Sequence, residues 1–238
     1  MGLLKKDIEY SFNKFQEDRI TDHRYASFDY CFRYFQSFKS KKDIAKDKNL
    51  EMSCLQLGFY LASWGMLRGS GILLQKSIPF YKEIIKIIAE DSGNIWNIDV
   101  NNYSKNNNID NLRGIYKKFA KCIPDGKNKI IIITKILLGV FGCCPAFDNY
   151  FCYTFRKFYG NKCKFRSFNP EALETIHIFY NDNNNLINVY RKNSKVLDFQ
   201  NGKDKNLRYT RAKVIDMIGF QYGLDNSPKP NKKRNISI

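Results

Sequence analysis

The sequence predicts an all-α protein: one globular multi-helix domain, with room for two helical subdomains around a cleft. Three observations predict it. Apolar residues recur at i, i+3 and i+4 in most of the longer segments, which is helical spacing. Apolar side chains make up 43% and aromatics 15% of 238 residues, enough to bury a sizeable core. The β-branched run Ile130–Ile133 continues to Phe141 without a turn signal. That favours helix, although a strand stays open there.

Residues 4–18 read as an amphipathic helix on Leu4, Ile8, Phe12 and Phe15, and residues 24–39 as a second one on Phe28, Cys31, Phe32 and Phe35. The charged stretch 39–49 reads as a solvated turn. Residues 50–67 carry Leu55, Phe59, Tyr60 and Trp64 nearly all round, the pattern of a centrally buried helix. Arg68-Gly69-Ser70-Gly71 reads as its glycine cap. Residues 72–90 read as a helix in which Pro79 marks a kink or a break. The polar stretch 101–108 is the expected linker or subdomain crossing. Further helices are expected over 109–121, 127–141, 146–159, 170–180, 184–192 and 206–222. The helical domain thus spans 1–225, and 226–238, with Lys232, Lys233 and Arg234, reads as a basic mobile tail.

The formal charge of +17 is unevenly spread. Residues 51–110 hold 5 basic and 6 acidic side chains, whereas residues 111–170 hold 12 basic and 2 acidic ones. A lysine bias of the whole chain would not leave its neighbour slightly acidic. Self-repulsion of this kind points to an anionic partner: nucleic acid first, with an anionic membrane surface or an acidic protein as alternatives. The apolar runs 54–67 and 130–147 read as buried core rather than membrane spans, the first too short and the second interrupted by Lys135. No signal core follows Met1, so a cytoplasmic protein is expected. Seven cysteines, an odd number placed mostly in apolar stretches and without a C-x-x-C pair, read as reduced core thiols. Neither they nor His23 and His177 form a ligand pattern, so no metal or cofactor is expected.

The basic segment's two acids are Asp125 and Asp148. Asp148 lies in Pro145-Ala146-Phe147-Asp148-Asn149-Tyr150, beside a helix start and among aromatics, where a capping role or a perturbed pKa is expected. Upstream, Ile123-Pro124-Asp125-Gly126-Lys127 is a turn that starts a helix, whose free N–H groups suit a phosphate. Lys129 follows Pro124 by five positions, and Asp148 follows Lys129 by nineteen.

This arrangement, over residues 122–152, resembles the helix-hairpin-helix DNA glycosylases, especially the 8-oxoguanine type. In that family a hairpin proline precedes a catalytic lysine by five positions, and an aspartate follows one helix and a loop later. The single glycine, Gly126, departs from the family's paired glycines, and the cluster cysteines of some members are absent. The resemblance implies a nucleotide turned out of the duplex into a pocket. It implies Lys129 as the nucleophile, with Lys135 as fallback, and Asp148 as the carboxylate that stabilises the developing sugar cation. Trp64, Phe147 and Tyr150 are then the expected base-stacking residues. Lys117, Lys118, Lys121, Gly126, Lys127, Arg156 and Lys157 are the expected contacts to nucleic acid, most simply DNA. Two further readings stand beside a glycosylase or lyase. One is a non-enzymatic DNA- or RNA-binding module. The other is a helical, toxin-like interaction protein with an acidic partner.

Overall fold

The computed structural model describes residues 2–69, 71–90, 94–200 and 202–228, with the side chains of 203–205 left out. Ser70 of the expected glycine cap and most of the expected tail, 229–238, lie outside the described residues. The architecture is mainly α: ten α-helices and one small hairpin around a single hydrophobic core.

Helices α1 (Lys5–Asp18) and α2 (Ser27–Gln36) form where the spacing predicts them. Each buries one stripe, Ile8, Phe12 and Phe15 on α1, and Phe28, Cys31, Phe32 and Phe35 on α2. A short 3-10 turn at Arg24–Ala26, capped by His23, precedes α2. The charged stretch after α2 is a 3-10 turn, Lys41–Ala45, which buries Ile44. Helix α3 (Asp47–Ser63) differs from expectation. It is not the central helix, because Phe59 is 69% exposed and Met52 and Leu55 are exposed as well. The expected helix over 72–90 exists only in its second half. Residues 72–77 are turns, Pro79 sits at the start of a 3-10 turn (Ile78–Tyr81), and α4 (Lys82–Glu90) follows. Proline lacks the N–H and fits only a helical first turn, so it opens the segment rather than kinking it.

The stretch 101–108 is an anchored turn. Asn106 and Asn107 take positive φ. Buried Tyr103 donates to the Cys143 carbonyl at 2.6 Å, and His177 Nδ1 donates to that of Val100 at 2.6 Å. Helix α5 (Asn108–Cys122) leads through the turn 123–128 into α6 (Lys129–Ile136). Helix, not strand, forms over Ile130–Ile133, and α6 ends in one π-helical turn, Leu137–Phe141, stopped by Gly142 at φ +66°. Then come α7 (Asn149–Tyr159), α8 (Pro170–Asp182), α9 (Asn184–Asn193) and α10 (Arg211–Asn226).

Two features were not expected. Residues 195–208, which include the start of the expected helix 206–222, form an antiparallel hairpin of β1 (Lys195–Asp198) and β2 (Gly202–Arg208). Asp29 docks it, accepting from the Leu197 amide, the Tyr209 hydroxyl and the Arg19 guanidinium. The second is α10, which is buried on all sides from Ala212 to Gly223 and is the true central helix, packed against α1 and α7. Its Lys213 and Asp216 pair with each other, which lets a charged sequence occupy the core.

The exposed Gly114 lies within α5, and a Cβ there meets nothing within 4 Å. Gly114→Ala should raise stability by about 0.5–1 kcal/mol, because alanine loses less backbone entropy in a helix. Urea denaturation checks this; an unchanged or lower midpoint counts against it.

Candidate amine and carboxylate site

The structure separates the two lysines that the sequence left as alternatives. Lys129 Nζ lies 2.8 Å from Asp125 Oδ1, one helical turn back on the surface, and holds that carboxyl below its ordinary range. It therefore does not pair with Asp148, and this corrects the expected arrangement. Lys135 does pair, with its Nζ 3.3 Å from Asp148 Oδ2. The reason is helical phase. Six residues along an α-helix turn a side chain by about 240°, so the two lysines leave α6 in different directions.

Asp148 is the N-cap of α7. Its Oδ1 accepts from the amides of Tyr150 (3.1 Å) and Phe151 (3.0 Å), which leaves Oδ2 for Lys135. The side chains of Lys135 and Asp148 are 4% and 13% exposed. Burial pushes the Asp148 carboxyl above its ordinary range, the Lys135 ammonium pulls it back, and the charge of Asp216 adds to the rise.

The loop that carries Asp148 is pinned at two points. The Ala146 amide donates to Asp216 Oδ1 at 3.0 Å, and the Phe147 amide donates to Thr134 Oγ1 at 2.9 Å. Asp216 is itself half of a second buried pair, 3.0 Å from Lys213 Nζ, with both side chains within 5% of full burial.

The two pairs meet at Trp64. Its ring centroid is 4.6 Å from Lys135 Nζ and 5.5 Å from Lys213 Nζ. The indole stacks on Tyr25 at 5.4 Å and meets Phe220 edge-on at 5.4 Å. The exposed Arg24 guanidinium lies over both Trp64 (5.3 Å) and Tyr25 (5.0 Å). Cations over aromatic faces are attracted by the ring quadrupole, and the attraction grows when they are desolvated.

Of the expected stacking residues, Trp64 is at this site and is only 7% exposed. Tyr150 is half-buried beside it, edge-on to Phe220. Phe147 is not available to a base. It is buried among Phe151, Phe165 and Phe168 as part of the core.

Lys117, Lys118, Lys121 and Lys127 are exposed, as expected of phosphate contacts. Tyr116 stacks on Phe168 at 4.6 Å, which sets the lysines of α5 beside the loop bearing Lys162, Lys164 and Arg166. Gly126 packs against Ile72, where a Cβ would come within 2.8 Å of Cδ1. Arg156 and Lys157 are exposed but partly engaged. Arg156 donates to the carbonyls of Lys164 and Phe165, and Lys157 to the Tyr222 hydroxyl.

Sequence reasoning missed Lys213, Asp216, Tyr25 and Arg24. One signal was present for the first two. A lysine and an aspartate three positions apart, inside the apolar run Ala212–Ile218, mark an internal pair.

The site offers a desolvated amine beside a carboxylate that holds protons more tightly than usual, under an electron-rich ring. Such a pair can pass a proton from nitrogen to oxygen and free the amine to attack an electrophilic carbon. Among the described residues no cluster of His, Cys, Asp and Glu suits a metal ion, all seven cysteines are free thiols, and no helix is long and apolar enough to cross a membrane. Comparison with protein-family models, curated proteins and solved structures found no match.

Proposed function

We propose that this chain binds nucleic acid through its α5 face and acts on a nucleotide with Lys135 as the amine nucleophile, in the manner of a glycosylase or lyase. One observation carries this reading: the buried Lys135 ammonium stands 3.3 Å from the Asp148 carboxylate, against the face of Trp64. Asp148 takes a proton from Lys135. The neutral amine attacks C1′ of the sugar, a C–N bond forms, and the glycosidic bond breaks. The base leaves with the proton, and opening of the sugar ring gives an imine. The carboxylate also opposes the positive charge that develops on the sugar. The resemblance to the helix-hairpin-helix glycosylases supports this reading, with Lys135 rather than Lys129 in the nucleophile's place.

Borohydride trapping tests it. Wild-type protein mixed with a duplex containing an abasic site should give a covalent protein–DNA adduct. Lys135→Arg, which keeps the cation but cannot form the imine, should give none, and Lys129→Gln should trap normally. A folded wild-type protein that gives no adduct sinks the enzymatic reading.

The closure of the site favours a second reading. With Lys135 only 4% exposed, the pair also ties α6 to the start of α7, as a non-enzymatic nucleic-acid-binding module would require. Binding to DNA without an adduct selects it. In either case, neutralising six phosphates should give a log–log salt slope of about −5. A flat salt response removes both readings and points to an acidic protein partner.

A further inference from the structure

The hydrogen-bond inventory around Trp64 is lopsided. Every carboxylate oxygen of the two pairs is occupied. Asp148 Oδ1 takes two amides and Oδ2 takes Lys135, while Asp216 Oδ1 takes the Ala146 amide and Oδ2 takes Lys213. The donors are in excess. Each ammonium carries three N–H bonds, and among the described residues Lys135 and Lys213 each have one carboxylate partner and an aromatic surround. The indole Nε1 of Trp64 is buried and has no hydrogen-bond partner. A buried donor without an acceptor is rare in a folded protein and calls for a specific partner.

We infer that Trp64, Lys135 and Lys213 form a donor-lined subsite that takes the acceptor-rich part of a nucleotide, either the oxygen and nitrogen edge of its base or a phosphate. This rests on the nucleic-acid reading of the same site and narrows it to the group recognised. The carboxylates cannot serve as the missing acceptors, because they are already satisfied. The pairs balance their own charge, so the ligand need not bring a cation or another donor. It approaches from the side of Arg24, the exposed side chain that lies over the indole. Trp96, the only other tryptophan in the chain, is an internal control. Its N–H is also buried without a partner, but it packs on Phe141, and Lys41 above it already donates to the carbonyls of Phe35 and Gln36.

Indole N–H resonances of the full chain, labelled with nitrogen-15, test the inference. Two cross-peaks arise, and Trp96→Phe assigns them. Three probes are titrated separately: a short single-stranded oligonucleotide, guanosine, and inorganic phosphate. The Trp64 peak should shift with the oligonucleotide while that of Trp96 stays, and a shift with guanosine or with phosphate alone names the source of the acceptor. Trp64→Phe keeps a ring and lacks the N–H, so it should weaken oligonucleotide binding by about tenfold. A Trp64 peak that stays put while the oligonucleotide binds to saturation overturns the inference and leaves nucleic-acid binding standing. A shift with guanosine or phosphate, with no oligonucleotide binding, supports the subsite and removes the nucleic-acid reading. No shift with any probe overturns the subsite.

Discussion

Lys135→Met is expected to lower the stability of the folded chain by about 3–5 kcal/mol at neutral pH, the range for removing one member of a buried ion pair. Methionine keeps much of the apolar stem, so the loss comes from the charge. Asp148 is left buried, with its two amide bonds but without its cation. The pH dependence follows from the direction of its shift. Burial already raises the Asp148 carboxyl above its model value of 3.8, and Lys135 opposes that rise. Without Lys135 the folded-state pKa climbs further. Below the unfolded value the acid is protonated in both states and carries no penalty. As pH rises, the unfolded chain ionises first, and the folded state loses stability until it ionises too. The gap between wild type and variant should therefore be widest at neutral pH and close towards about pH 4. Urea denaturation of both proteins at the two pH values checks this. A gap of equal size at both would show that Lys135 acts by packing alone.

Gly223→Ala should destabilise by about 2 kcal/mol, opposite in sign to Gly114→Ala. Intrinsic helix propensity favours alanine at both by about 1 kcal/mol. At Gly223, however, a Cβ would stand 2.1 Å from the carbonyl oxygen of Tyr150 and 2.5 Å from its carbon. The obstacle is backbone, so no side chain can swing aside, and the upper part of the 1–3 kcal/mol range for overpacking applies. α7 must then shift away from α10 at the turn that Asp148 caps. The same substitution should therefore weaken the Lys135–Asp148 contact and reduce borohydride trapping. Thermal denaturation of the two glycine variants side by side reads the signs directly. A stabilised Gly223→Ala would mean that α7 and α10 pack more loosely than the structure has them.

Amphipathic helices were legible because a buried stripe writes itself into the sequence every three or four residues. α1, α2, α7 and α8 all follow that rule, and Asp148 at the head of α7 was legible both as a cap and as a perturbed acid. Burial of a whole helix was not legible. α3 is the more apolar to the eye yet exposes Phe59, whereas α10 hides a lysine and an aspartate that only each other's presence makes tolerable in the core. The hairpin escaped because Lys203, Asp204 and Lys205 break any alternation, although Asn201-Gly202 is a turn pair and Gly202 takes φ +80°. At the candidate site, counting residues found the right acid and misplaced its partner. Sequence separation fixes distance along a helix axis only after rotation about that axis is known. Lys213 and Asp216 join the site from nearly seventy residues away, which no local pattern records.

The single π-helical turn after α6 bears on which changes of chain length this protein can absorb. A wide turn holds one more residue than an α-turn of similar rise. Deleting any one of Leu137–Phe141 would let the helix relax to ordinary pitch and would rotate everything beyond it by about 100°. Gly142 would lose the direction in which it breaks the helix, and the strand of backbone leading to Asp148 would set out from another azimuth. Thirteen positions separate Lys135 from Asp148. That interval behaves as a rigid gauge, not as slack, so insertions and deletions belong in the surface turns and not here.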